Sequence, residues 1–201
     1  MRVRTAAKRS DILETAAGVF LEQGFERASM SEIAARIGGS KATLYGYFKS
    51  KEELFAAVAL AEGDKQLAPE LANPEDYSTG LRDALLRIGE KLLTFLLSPE
   101  AIAAHRMVLG EAGRSLIGHH FYVAGRQRGI RLVSEFLERS HQAGSIRQCD
   151  FTVAATHVVA LIESEWLPPM LFGLARPAPS PLEIRESTGR AVDAFMAAYC
   201  S

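Results

Sequence analysis

The sequence predicts an all-α protein with about nine helices. Apolar residues recur at helical spacing along most of its 201 residues, and three serine-based capping boxes introduce apolar stretches. No segment reads convincingly as a strand, because the best candidates, Val158-Val159 and Phe121-Tyr122-Val123, lie within longer helical periodicities. An apolar content of 48% is enough to bury a core.

The first fifty residues predict three helices. The first carries an amphipathic stripe formed by Ile12, Ala16, Val19 and Phe20. Gly24 is expected to end it with a left-handed residue, and the capping box Ser29-Met30-Ser31-Glu32 opens a short second helix. Gly38-Gly39 then breaks the chain, and Ser40 caps a third helix that reaches only about Tyr47.

Six further helices are expected. Their approximate ranges are 51–67, 81–92, 99–113, 118–142, 150–172 and 181–199. The capping box Ser50-Lys51-Glu52-Glu53 opens the first of these, and Ser180-Pro181-Leu182-Glu183 opens the last with a proline in its first turn. A polar, proline-containing loop is expected from Pro69 to Asp76.

Charge is unevenly distributed along the chain. Residues 1–51 hold nine Lys and Arg against five Asp and Glu, a net charge of +4, whereas the rest carries 14 against 19, a net charge of -5. A basic head on an acidic body suggests that only the head meets a polyanion.

Other bulk features favour a cytoplasmic protein without a membrane segment. The N-terminus MRVRTAAKRS lacks the apolar run of a signal peptide, and no apolar run reaches the ~18 residues of a membrane helix. Cys149 and Cys200 lie far apart in sequence, and two reduced thiols are expected in preference to a disulfide.

Three short helices with a tight turn before the third describe a helix-turn-helix unit. Leu44 and Phe48, four residues apart, share the inward face of the third helix and are expected to pack on Ile33, Ile37 and Phe20. The polar side chains then point outward, and a helix of about two turns can enter a DNA major groove. Hydroxyl and lysine contacts to phosphate set the register of such a helix on the duplex.

The run from Arg9 to Leu54 resembles the DNA-binding domain of the TetR family of bacterial repressors. The matching residues are Ile12, Ala16, Phe20, Gly24-Phe25, Ser29, Ile33-Ala34, Gly38, Ser40-Lys41-Ala42-Thr43-Leu44-Tyr45, Tyr47-Phe48 and Ser50-Lys51-Glu52-Glu53-Leu54. Residues 98–174 resemble more weakly the C-terminal domain of the AefR-like branch, mainly through SPEAIAAHRMVLGEAGR.

The resemblance implies a DNA-binding domain at residues 1–50 and a larger helical ligand-binding and dimerisation domain at 51–201, with helix 51–67 as the connector. The residues expected to contact DNA are Arg4, Ser29, Ser31, Ser40, Lys41, Ala42, Thr43, Tyr45, Tyr47 and Lys51. Two positions depart from the family pattern. Gly39 stands where the family usually has Val, and Gly46 where a long side chain is frequent, so base readout is expected mainly from Lys41, Ala42 and Ser31.

The resemblance also implies a homodimer on a palindromic operator, built by the last two long helices of each subunit. The expected dimer contacts are Val158, Val159, Ile162, Leu167, Met170, Leu171, Val192, Phe195 and Met196. The alternative is that these residues fill the core of one subunit. These helices carry more apolar residues than one helix face needs, which favours the interface over the core of one subunit.

Regulators of this family usually enclose an inducer pocket in the body, and the inducer expected here is a hydrophobic or amphipathic small molecule. The candidate wall residues are Phe95, His105, Met107, Glu111, Phe121, Tyr122, Arg126, Glu163 and Trp166. Glu163 and Glu165 cannot share one helix face, so one of them is expected at the pocket or the dimer seam.

Three other classes of protein compete with a ligand-released repressor. An enzyme is disfavoured because the chain lacks HExxH, CxxC, GxSxG and phosphate-loop motifs, and no cofactor or metal is expected. His119-His120 fits a solvated surface pair better than a metal site. A protein-binding adaptor and an architectural DNA protein without a ligand remain open.

Overall fold

The computed structural model describes residues 5–72, 80–114, 116–174 and 177–200, without the side chains of 66–72. In this part of the chain there are eleven α-helices and no β-strand, so the all-α prediction is confirmed. The helices are α1 (Ala6–Arg27), α2 (Met30–Arg36), α3 (Lys41–Tyr47), α4 (Lys51–Ala72), α5 (Leu81–Leu96), α6 (Pro99–Glu111), α7 (Ile117–Phe121), α8 (Arg128–Gln142), α9 (Phe151–Glu163), α10 (Leu167–Leu171) and α11 (Pro181–Tyr199). A π-helical segment, Tyr122–Gln127, precedes α8.

Two of the predicted long helices are interrupted, which raises the number from about nine to eleven. The stretch 150–172 breaks after Glu163, and α10 restarts with Pro168 and Pro169 in its first turn, where a missing N–H is tolerated. The stretch 118–142 is divided into α7, the π-helical segment and α8. Nothing in its sequence pattern distinguishes the π-helical segment from an α-helix.

The loop predicted from Pro69 was wrong at its start, because α4 continues to Ala72. Proline fixes φ near −65°, which is a helical value, so the backbone can stay helical although one N–H donor is missing.

The first helix was predicted better. Gly24 has a positive φ of 76° as expected, but its ψ of 166° kinks the helix rather than placing a left-handed cap.

The described chain divides into two compact units, Met1–Glu62 with Met107–Phe121 and Gly63–Arg106 with Tyr122–Ser201. In the first unit an aromatic cluster joins α1 to α4. The ring of Phe55 lies 4.9 Å from that of Phe20, edge-on, and 5.0 Å from that of Phe25. The predicted domain boundary at residue 50 stays a prediction.

In the second unit, α5, α9 and α11 pack against one another, and α8 packs on α9. Gly89 lies where α5 meets both partners. A Cβ at this position would come within 2.6 Å of Cγ2 of Thr188 on α11 and 3.1 Å of Cδ1 of Ile162 on α9. The close approach of the three helices therefore requires a glycine at this position.

Most of the residues expected at the dimer interface lie inside the chain itself. The buried members of that set are Val158, Val159, Ile162, Leu167, Val192 and Phe195. These six side chains are enclosed by their own subunit, so a contact with a second subunit stays a prediction for them. The three others, Met170, Leu171 and Met196, are half-buried against the same core.

Glu165 and Arg190 form a surface ion pair between the end of α9 and α11. Nε of Arg190 donates to Oε1 at 2.9 Å and Nη2 donates to Oε2 at 2.7 Å, so both edges of the guanidinium fork are used. These hydrogen bonds hold the pKa of Glu165 below its usual value.

Cys149 and Cys200 are both free, as predicted, and burial raises the pKa of each thiol.

None of the described helices is by itself long and apolar enough to span a membrane. Among the described helices, only α5 and α6 taken together reach that length and apolar composition, and they are bent by 68° at the break between them.

Gly89→Ala is expected to destabilise the protein by about 1 to 3 kcal/mol, because the added methyl overpacks the junction of α5, α9 and α11. The matched control is Gly46→Ala in α3, where nothing lies within 4 Å of the added Cβ. That change should stabilise by up to about 1 kcal/mol through helix propensity. Urea unfolding followed by circular dichroism at one protein concentration measures both. Equal effects of the same sign would contradict the close approach at Gly89.

Candidate functional site

Two glycines and Ser40 form the turn between α2 and α3, and Ser29 caps the start of α2. Gly38 has a φ of 66°, and the N–H of Gly39 donates to the carbonyl of Ala34 at 3.1 Å. The hydroxyl of Ser29 caps α2 by accepting from the N–H of Glu32, and that of Ser40 caps α3 by accepting from the N–H of Thr43. These bonds fix the direction in which α3 leaves the turn.

The buried face of α3 is the predicted one. Leu44 and Phe48 are both 2% exposed, and the guanidinium of Arg9 lies 5.3 Å from the centre of the Phe48 ring. The opposite face is open, with Lys41 and Ala42 exposed and Tyr45 44% exposed. The short helix is therefore anchored along one side and presents the other.

The hydroxyl groups beside this face are already ordered. Oγ of Ser40 lies 3.0 Å from Oγ1 of Thr43, and the hydroxyl of Tyr47 accepts from the backbone N–H of Thr5 at 3.1 Å. Tyr47 thereby ties the end of α3 to the start of α1. Sequence reasoning missed Thr5, although a threonine before a helical run is a recognisable N-cap signal.

Lys51 points into the protein. Its Nζ donates to the carbonyls of Phe25 at 2.8 Å, Ala28 at 3.2 Å and Glu26 at 3.3 Å, and lies 4.2 Å from the centre of the Phe25 ring. A cation at the carbonyl end of a helix is favourable because those groups lack intrahelical donors. The ammonium group thus binds the end of α1, which the sequence did not predict.

Two predicted capping boxes are only half formed. The carboxylate of Glu32 accepts from Gln23 Nε2 at 2.6 Å and from Arg36 at 3.0 Å, so it joins α2 to α1 instead of reaching back to Ser29. Arg36 also pairs with Glu22 of α1 at 2.7 Å. In α4, Glu53 accepts from the N–H of Lys49 rather than that of Ser50.

The remaining DNA-contact candidates are placed as follows. Ser31 is exposed on α2, and Arg4 lies outside the described residues. An ideal Cβ on Gly39 or Gly46 meets nothing within 4 Å. The first carbon of a side chain at either position would therefore contact no neighbour.

The ligand candidates fall into both compact units. Met107, Glu111 and Phe121 belong to the first, where Glu111 lies 3.8 Å from Arg114. The others belong to the second: Phe95, His105, Tyr122, Arg126, Glu163 and Trp166. Phe95 is half-buried, His105 bonds the carbonyl of Ala101 at 2.8 Å, and Trp166 is buried in the core.

Of these six, Arg126 and Glu163 form a pair. Nη1 of Arg126 donates to both carboxylate oxygens, at 2.8 and 2.7 Å, and the Glu163 side chain is 13% exposed. Of the two neighbouring glutamates, Glu163 therefore turns toward the π-helical segment and Glu165 toward α11. Within the described residues, no group of three or more His, Cys, Asp or Glu side chains is arranged to hold a metal ion.

Two protein-family models match this chain. Residues 12–58 match the model of bacterial regulatory proteins of the tetR family, and residues 83–201 match the AefR-like transcriptional repressor C-terminal domain. The regulator YvdT of Bacillus subtilis is 36% identical over 84 residues, covering 40% of this chain and 43% of YvdT. The matched stretch thus spans less than half of that relative.

Solved structures resemble the whole chain. A TetR-family regulator from Mesorhizobium loti has a TM-score of 0.79 at 25% identity, with 100% of each chain covered. The flavonoid-responsive regulator FrrA has a TM-score of 0.68 at 31% identity, with 98% of each covered. Because the AefR-like model alone spans more than half of the residues, this chain belongs to the TetR family of bacterial transcriptional regulators.

Proposed function

We propose that the protein is a homodimeric repressor that binds a palindromic operator in the bacterial cytoplasm and is released by a small hydrophobic or amphipathic molecule. The observation that carries the proposal is α3, which is buried along Leu44 and Phe48 and presents Lys41, Ala42 and Tyr45. The AefR-like repressor model over residues 83–201 supports repression rather than activation.

In this proposal α3 lies in the major groove. Lys41 and Ala42 at its N-terminal end reach base edges, as recognition helices do. The hydroxyls of Thr43, Tyr45 and Tyr47 contact phosphates and set the register. Ser31 on the preceding helix, together with Arg4, adds contacts at the edge of the site. The positive net charge of the first 51 residues supports this placement.

The dimer is proposed to use the outward faces of α9 and α11 instead of their buried faces. Val153, 45% exposed, and Ala160 share one face of α9, and α11 exposes Ala194 and Ala197. Phe172, just after α10, is 86% exposed. Exposed apolar residues beside small ones allow a second copy to approach closely and be covered by it.

A relative supports the class of inducer. FrrA, 31% identical over 98% of this chain, is described as flavonoid-responsive. A flat, amphipathic aromatic molecule is therefore the first class to screen. Release follows when the ligand binds more tightly to a state of the dimer that fits the operator poorly.

The operator proposal is tested by selecting bound DNA from a random duplex library with the full chain. The expected result is a palindrome whose half-sites are about one helical turn apart, since two copies of α3 must enter successive major grooves. Absence of any enriched sequence, with no binding at low salt, would favour a protein-binding adaptor.

Variants of Lys41 and Lys51 should differ in how steeply their affinity for that operator falls with salt. Removing one phosphate contact lowers the magnitude of the log–log salt slope by about 0.9 per contact. Lys41→Ala should weaken operator binding, uniformly over base variants if it contacts phosphate or selectively if it reads a base. Lys51→Met should keep the wild-type slope and lower unfolding stability by about 2 kcal/mol, because its charged hydrogen bonds are internal. A reduced slope for Lys51→Met would instead establish a phosphate contact.

Ala160→Glu should convert the dimer into a monomer and weaken operator binding, because a charge would be buried at the subunit contact. The matched control is Ala103→Glu, which changes another exposed alanine, in α6. Light scattering gives the mass and circular dichroism confirms that both variants remain helical. A dimer that survives Ala160→Glu would rule out this face of α9.

A further inference from the structure

The ion pair of Arg126 and Glu163 differs from the other bidentate pair at the end of α9. Arg190 engages Glu165 with Nε and Nη2, the forked edge of its guanidinium. Arg126 instead holds both oxygens of Glu163 with Nη1 alone. Within the described part of the chain, the Nε and Nη2 edge of Arg126 bonds no protein acceptor.

The unused edge offers parallel N–H donors in the geometry that binds two neighbouring oxygen atoms. The Arg126 side chain as a whole is 37% exposed. The same π-helical segment also exposes apolar surface, since Tyr122 is 52% exposed and Val123 is also exposed. Local π-helical geometry is frequent at functional sites.

The charge of the site is already balanced. Glu163 is 13% exposed and lies 2.7 Å from the guanidinium, so the pair is neutral before any ligand arrives. A ligand carboxylate on the open edge would bring a second negative charge close to Glu163, and like charges at that distance repel. A neutral molecule with two adjacent acceptor oxygens meets the donors without this repulsion.

We propose that the open edge of Arg126 is the polar anchor of the effector site and that Glu163 makes this site selective for neutral ligands with paired acceptor oxygens, such as ortho-hydroxylated aromatic ketones, over carboxylates. The inference rests on the proposed function, because it assigns the effector of that regulator. Arg126 supplies the hydrogen bonds, and Glu163 orients Arg126 and sets the charge preference.

The test compares ortho-hydroxyacetophenone with salicylate, which have similar size and ring pattern but differ in charge at neutral pH. Binding is followed by the NMR signal of the indole N–H of Trp166, the single tryptophan of the chain, three residues after Glu163. In the wild-type protein the ketone should bind at least about tenfold more tightly than salicylate, because only salicylate is repelled by the charge of Glu163.

Glu163→Gln should reverse the preference toward salicylate, because the amide oxygen can still accept from Nη1 while the guanidinium charge becomes uncompensated. Arg126→Gln should weaken both ligands at least about tenfold. The control variants Glu165→Gln and Arg190→Gln alter the neighbouring pair and should leave the ratio unchanged. Thermal melting checks that each variant is folded, and Glu163→Gln keeps the test valid if Arg126→Gln fails to fold.

Three results would overturn the inference: equal or tighter binding of salicylate by the wild type, an unchanged ratio in Glu163→Gln, or no binding of either probe. Operator binding is measured separately without a probe. If the protein binds its operator but the probes ignore Arg126, only this inference fails. If the probes behave as expected but no operator is bound, the ligand site stands and the proposed function fails.

Discussion

The first unit depends on the hydrogen bonds that Lys51 donates to the end of α1. Its ammonium satisfies three backbone carbonyls, and Phe55, one turn later on α4, packs on Phe20 and Phe25. The other end of α1 is held by Tyr47 of α3. These contacts attach α1 to α3 at one end and to α4 at the other.

Local signals made much of the fold predictable. Ser29, Ser40 and Ser180 cap the helices they were expected to cap, and Gly38 takes the positive φ that its turn requires. It was harder to predict whether an apolar residue is buried inside its own subunit or against a second subunit. Val158 and Phe195 are apolar whether they face the subunit core or another subunit, so composition could not distinguish the two environments. In the structure both are buried in the subunit core.

The candidate site was predictable where it depends on residue type and not where it depends on distant partners. The exposure of Lys41 and Tyr45 follows from helical spacing to Leu44 and Phe48. The role of Lys51 does not, because its acceptors lie more than twenty residues earlier in the chain. Sequence also showed that Glu163 and Glu165 must diverge, but the choice of Arg126 and Arg190 as partners depends on how α8 and α11 pack around α9.

The empty space around Gly46 has an evolutionary consequence. A glycine codon changes to arginine, serine, aspartate, alanine or valine through one nucleotide substitution, and a Cβ at this position of α3 meets no neighbour within 4 Å. After gene duplication, one copy can therefore acquire a new side chain on α3 while the other keeps the ancestral surface. The fold does not have to change for the two regulons to separate.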